Sequence, residues 1–189
     1  FPGTVITNGM SHHKRNGRFA DSAVVVNVRT EDFAPDGDSL SGLAFRRLWE
    51  QKAFAAAGGN YFAPAQKLAE FVEKKFSGAV GPTSFRPGVQ ATALSDVLPE
   101  FVVNALRTGL KKINQKMPGF IAPEAHLIGI ETRTSSPVRI CRREDGQSET
   151  VRGLYPCGEG AGYAGGIISS ALDGIKAAQN LMAQTSGNP

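Results

Sequence analysis

Cysteine, histidine and long apolar runs are all scarce in this sequence, and each scarcity removes a class of protein. Two cysteines in 189 residues, Cys141 and Cys157, cannot make a disulfide framework for a chain of this size, and they form no C-x-x-C pair. They read as reduced thiols, which points to a cytoplasmic location. Cys157 adjoins a glycine-rich turn, and its reading is a small apolar residue ending a strand rather than a redox centre. The three histidines, His12, His13 and His126, have no cysteine or carboxylate recurring at ligand spacing, so no metal site is expected. No apolar stretch reaches the roughly 18 residues of a membrane helix, and no signal-peptide pattern opens the chain. Neither a Ser/His/Asp spacing nor a carboxylate pair suggests hydrolysis. Internal repeats and low-complexity blocks are also missing.

What is present describes an ordinary folded chain. Hydrophobic residues make up 41% and charged residues 20%, the balance of a globular protein rather than a disordered one. The formal net charge of +4 comes from scattered basic residues, with no aromatic-rich basic strand or helix-turn-helix spacing, so no nucleic-acid partner is expected. An anionic cofactor or substrate suits that charge equally well. Phe1-Pro2-Gly3 turns directly into Thr4-Val5-Ile6-Thr7 without an initiating Met, which is expected of the interior of a longer protein.

Residues 4–7 and 23–30 are rich in Val and Thr and are predicted strands. The loop between them holds Asn8, Met10, Ser11 and His13. Helices are predicted over 39–57, with Ser39 as cap and Leu40, Leu43, Ala44, Leu48, Trp49 and Ala55 on the inner face, and over 64–76, with Pro64 in its first turn. A third helix over 97–115 carries Leu98, Phe101, Val102, Ala105, Leu106, Leu110 and Ile113 as one stripe of core packing. Strands are then predicted at 126–134, at 137–142 and 150–152 around an Asp145-Gly146 turn, and at 154–157. A last helix over 165–183 carries Ile167, Ile168, Ala171, Leu172, Ile175, Ala178 and Met182 on one side.

Gly158, Gly160, Gly162, Gly165 and Gly166 fall within nine residues between the last strand and the last helix. Missing Cβ atoms allow positive φ and let a ligand touch the backbone. The helix that follows offers unpaired N–H groups and a partial positive charge. Gly160-Ala161-Gly162-Tyr163-Ala164-Gly165 matches G-x-G-x-x-G in letters. A dinucleotide unit, however, requires a second strand after the helix and an acid about 20 residues further on. No strand follows here. The turn is therefore a terminal strand-turn-helix, suited to phosphate or to an electron-rich carbonyl. Glu159 within it is a good acceptor for sugar hydroxyls.

The stretch Gly153-Leu154-Tyr155-Pro156-Cys157-Gly158-Glu159-Gly160-Ala161-Gly162-Tyr163-Ala164-Gly165-Gly166-Ile167 resembles the C-terminal flavin motif of bacterial FAD-dependent dehydrogenases, the NAD(FAD)-utilising dehydrogenases. The likeness extends through residues 131–140, 84–89, 96–99, 49–54, 58–61 and 7–11, nearly the whole chain. It implies FAD as cofactor, with Glu159 accepting a ribityl hydroxyl and the backbone of Gly158, Gly160, Gly165, Gly166 and Ile167 lining the flavin. It also implies that the family's N-terminal Rossmann half precedes this chain as its partner, and that residues 1–189 alone hold FAD weakly or not at all.

Beyond the flavin, Arg133 and Arg139 flank Thr134-Ser135-Ser136-Pro137. These guanidinium forks suit a small anionic substrate, and a solvated strand end is the equal alternative. His13 is a candidate proton donor on a surface loop, and Arg86 a weaker substrate contact. The expected fold is mixed α+β, a fragment of a two-domain flavoprotein with strands at both ends and an inserted helical subdomain. Residues 1–125 form its substrate-side region, and residues 126–189 the C-terminal part of the FAD-binding domain. The expected function is part of an FAD-dependent oxidoreductase; the alternative is a non-catalytic module that keeps the glycine turn for packing or for a phosphorylated ligand.

Overall fold

The computed structural model describes residues 2–9, 13–34 and 37–186. Met10 and Ser11 of the N-terminal loop lie outside the described residues. The chain divides into two compact units, one made of Phe1–Phe33 and Ala44–Thr132, the other of Ala34–Leu43 and Arg133–Pro189. The elements run α1 (Ser41–Ala56), β1 (Ala63–Lys67), α2 (Leu68–Glu73), β2 (Val89–Ala91), α3 (Glu100–Lys116), β3 (His126–Ile128) and α4 (Ile167–Ser186), with 3-10 turns at Thr30–Asp32 and Leu94–Asp96. The class is mixed α+β, as expected.

The first unit is built around β1, the middle strand of a three-stranded sheet ordered β2-β1-β3. β1 pairs parallel with β2, placing Ala65 opposite Ala91, and antiparallel with β3, placing Gln66 opposite Leu127. Its residues Ala63, Pro64, Ala65 and Gln66 are all buried, since a central strand is covered on both sides. Helix was expected from Pro64 to 76. The chain instead stays extended to Lys67 and only then turns helical, because ladder bonds from both neighbours outweigh the helix preference of Ala-Gln-Lys-Leu. Gly129 N–H donates to Pro64 O at 3.0 Å, and proline cannot return the bond, so it sits at the end of that ladder. Gln66 joins the parts around it: its Nε2 donates to Lys75 O at 2.7 Å, and its Oε1 accepts Leu94 N–H at 2.9 Å.

One apolar cluster joins Ala53 of α1, Leu68, Phe71 and Val72 of α2, and Val102, Val103, Leu106 and Leu110 of α3 with Val5, Leu94, Val97 and Ile130. The α3 stripe is close to the one expected, rotated so that Val103 is buried while Phe101 is exposed. α1 differs more. Leu40 and Leu48 are exposed, and the buried positions are Gly42, Glu50, Ala53 and, just past the helix, Ala57. Glu50 goes inward because Thr132 Oγ1 donates to it at 2.7 Å and Arg46 Nε lies 3.6 Å away. Ahead of the helix it is Asp38, not Ser39, whose carboxylate accepts a backbone N–H, that of Leu40 at 3.1 Å.

The expected terminal strands are the main correction. Residues 4–7 make single bonds, Val5 N–H to Glu50 O and Thr7 N–H to Ile130 O, and no ladder. Residues 23–29 carry no strand, although Val24 and Val26 pack against the core. The strand from His126 stops at Ile128 rather than 134. Residues 137–142 contribute only the bridge Arg142↔Ser148, and 150–152 and 154–157 none. Strand-forming side chains make a strand only where a second backbone pairs with them. The Asp145-Gly146 turn itself is present: Gly146 N–H donates to Arg143 O at 2.9 Å with φ 83°. Among the described residues no helix is long and apolar enough to cross a membrane.

Phe71 is fully buried and Leu48 exposed. Phe71→Ala is expected to lower stability by about 3–5 kcal/mol, and Leu48→Ala by less than about 0.5 kcal/mol, measured by urea unfolding.

Candidate functional site

The glycine turn lies in the second unit and is held from three sides. Asp173, in the second turn of α4, anchors it. Gly158 N–H donates to Asp173 Oδ2 at 2.8 Å, and Arg142 grips the same carboxylate through two bonds of 2.9 and 2.7 Å. Arg142 Nη1 also donates to Pro156 O at 2.8 Å, so one guanidinium ties residues 154–157 to α4. Its plane stacks on Tyr163, 3.7 Å from the ring centroid, and Tyr163 Oη accepts Arg142 N–H at 3.1 Å. These bonds hold the Asp173 carboxyl down at about 2, the hydrogen bonds from Arg142 contributing most and the Gly158 N–H next.

Residues 136–140 pass along the other side. Arg139 Nε donates to Gly162 O at 3.1 Å, Ile140 N–H to Ala161 O at 3.1 Å, and Ser136 Oγ to Gly160 O at 3.3 Å. The approach is closest at Gly162, where an added Cβ would stand 2.5 Å from Val138 O, and φ is 82°. Gly162 is thus glycine for both packing and conformation. Gly158 also needs positive φ, 71°. Gly160 and Gly165 differ: space for a Cβ is open at both.

α4 begins at Ile167, two residues later than expected. Gly166 N–H donates to Ser169 Oγ at 3.1 Å, which caps one orphan donor. The next N–H groups, at Ile167 and Ile168, precede the first intrahelical acceptors, and both residues are exposed. Glu159 is half-buried, and its carboxylate makes no hydrogen bond or ion pair among the described residues.

Gly158, Glu159 and Gly160 lie on the turn, Gly165 and Gly166 on the bend after it and Ile167 at the head of α4, with Arg139 bonded to Gly162 between them. Arg133 is exposed and engaged in an interaction of its own. His13 belongs to the first unit, where it is exposed. Sequence reasoning missed the Arg142–Asp173 pair, because the residues stand 31 apart with no motif linking them. A single acid among the small residues Ser170, Gly174 and Ala177 was the only trace. Among the described residues no group of three His, Cys, Asp or Glu could hold a metal ion.

A carboxyl whose acidity is raised in the folded state adds stability at pH above its unfolded value. For Asp173 that contribution is lost as pH falls from about 4 toward about 2. Asp173→Asn is expected to cost on the order of 1–2 kcal/mol at neutral pH and to flatten this acid limb, read by circular dichroism melts across pH. Gly162→Ala should destabilise by more than about 1 kcal/mol, and Gly160→Ala by less than about 0.5 kcal/mol.

Residues 1–134 match the family described as FAD-dependent protein, C-terminal domain-like. An uncharacterized protein of Clostridium beijerinckii is 44% identical over 182 residues, which cover 95% of this chain and 34% of that relative. The chain thus spans about a third of the relative's length, and the aligned span includes the glycine turn, which the family match does not reach. With well over half of its residues matched, the chain belongs to the FAD-dependent protein, C-terminal domain-like family.

Proposed function

We propose that the chain is part of an FAD-dependent oxidoreductase, a dehydrogenase of the NAD(FAD)-utilising kind, and that its glycine turn meets the flavin. One observation carries the reading: the half-buried Glu159 carboxylate, with no hydrogen bond or ion pair among the described residues, immediately precedes open backbone at Gly160 on the segment that leads through Gly165 into a 20-residue helix. These features fit the cofactor. A carboxylate accepts ribityl hydroxyls, bare backbone at Gly160 and Gly165 leaves room for a flat ring, and the N–H groups at Ile167 and Ile168 favour an electron-rich carbonyl edge.

FAD, when bound, supplies a two-electron acceptor for a hydride. The chain's own residues orient and polarise. Glu159 fixes the ribityl chain, Gly158, Gly160, Gly165 and Gly166 shape the turn, and the partial positive charge at Ile167 stabilises negative charge that develops at the helix end. The clamp of Arg142 on Asp173 sets where that helix begins. Arg139, exposed but braced by Gly162 O, and Arg133 are the residues proposed to hold a small anionic substrate. His13 is the proposed proton donor of the substrate region. Residues 126–189 then form the C-terminal part of the FAD-binding domain, and residues 1–125 the substrate-side region. A preceding Rossmann half is their partner for the adenine and pyrophosphate.

The full-length protein is expected to purify with one FAD, seen by its absorbance and by FAD released on denaturation, and to be reduced by NADH or NADPH. Glu159→Ala should weaken FAD binding about tenfold or more, the loss of one charge-assisted hydrogen bond. Residues 1–189 alone should bind FAD weakly or not at all; stoichiometric FAD on them would contradict the split site. A full-length protein without flavin would favour the non-catalytic module.

A further inference from the structure

Between α2 and β2 the chain runs through Gly78, Gly81, Pro82 and Pro87 without regular structure. Both ends of this loop are fixed. Ser77 donates its N–H and its hydroxyl to the two oxygens of Glu70, at 3.0 and 2.7 Å. At the far end Ala63 N–H donates to Gly88 O at 3.0 Å. An added Cβ at Gly88, where φ is 106°, would stand 2.9 Å from the Phe62 ring. Between these anchors, residues 78–87 make one hydrogen bond to the rest of the described residues: Gly81 N–H donates to His126 Nε2 at 2.8 Å.

His126 opens β3, an edge strand, and is half-buried. Gly81 is matched to it, since an added Cβ there would lie 3.1 Å from His126 Cε1. The imidazole thus meets the one residue type without a Cβ. The direction of the bond fixes its chemistry. A backbone N–H only donates, so Nε2 is the unprotonated nitrogen and the ring proton sits on Nδ1. A second ring proton has to go on Nε2, facing the Gly81 N–H, and two donors cannot bond.

The charged groups on this side are Lys67, cross-strand from His126, and Glu70, 3.6 Å from the Lys67 ammonium. Residues 77–85 carry no charge, and Glu124, two positions before His126, is exposed. The Ser77 hydroxyl, followed by the Ser77 N–H, holds the Glu70 carboxyl below its usual range. The Ser77 anchor therefore persists at the pH where an imidazole takes up its proton, and only the middle of the loop is held by a group that titrates there.

We propose that His126 is a proton-operated latch: its free Nε2 holds residues 78–84 through Gly81, and protonation releases them while Ser77 and Gly88 stay anchored. The released segment leads into the turn closed by Gly88 N–H on Phe85 O at 3.2 Å, which carries Arg86. Arg86 is exposed and makes no hydrogen bond or ion pair among the described residues. A solvated imidazole takes up its proton near pH ~6.5. The latched state is thus favoured above that value and loses about tenfold in its equilibrium one pH unit below it. Gly81 and His126 both belong to the first unit and neither is a residue of the glycine turn, so the latch is independent of the flavin reading.

The test is hydrogen–deuterium exchange of the full-length protein, read on peptides covering residues 77–85 and corrected for the intrinsic pH dependence of exchange. Protection is expected to fall about tenfold from about pH 7.5 to about pH 5.5, with the peptides of α3 unchanged. In His126→Gln, whose side-chain oxygen accepts without titrating, and in His126→Leu, which has no acceptor, the fall should vanish. Protection that does not change with pH in the unsubstituted protein would overturn the proposal. So would a fall that persists in His126→Gln, or one shared equally by α3, which reports unfolding of the whole unit. If the leucine variant does not fold, the glutamine variant decides alone.

Discussion

The carboxylate of Asp173 holds together the parts of the second unit that matter most. It receives two hydrogen bonds from Arg142 and one from the Gly158 backbone. The same arginine reaches Pro156 O and lies against Tyr163. Remove that anion and the segment before the turn, the turn itself and the helix after it lose their common anchor. Regular structure cannot substitute for it, because among the described residues of this unit, outside the helices, it amounts to an isolated bridge and short turns. Where ladders are few, side-chain to backbone bonds carry the geometry.

The first unit solves the same problem by burial. A strand of small residues runs through its middle, and the buried Gln66 amide joins the end of α2 to the 3-10 turn at Leu94. Glu50 plays the corresponding part at α1, turned inward against Thr132 and Arg46. In both cases a buried polar side chain is retained because each of its partners is in place.

The glycines of the turn divide their labour. Gly162 is required by the chain that crosses it, Gly158 by its own backbone angle, and Gly160 and Gly165 by neither. This division separates the packing explanation of a glycine-rich segment from the ligand explanation, residue by residue. It leaves the ligand explanation resting on Glu159, Gly160, Gly165 and the head of α4.

By itself, the sequence determined the mixed class, the α3 stripe, the Asp145-Gly146 turn and the glycine segment that opens the last helix, all features written in local periodicity or in residues with special backbone freedom. The direction in which α1 and α4 face was not legible. Glu50 and Asp173 point inward because Thr132 and Arg142 arrive from distant segments to pair with them, Arg46 joining Glu50 from one turn back on its own helix, so the aliphatic side chains face away. Nor was the fate of the strand-like segments, since β-branched sequence at 23–30 or an alternating pattern at 137–142 states a preference and a ladder needs a second backbone. Tertiary structure decided both, because a charge goes inside only with its partner and a strand exists only in a pair.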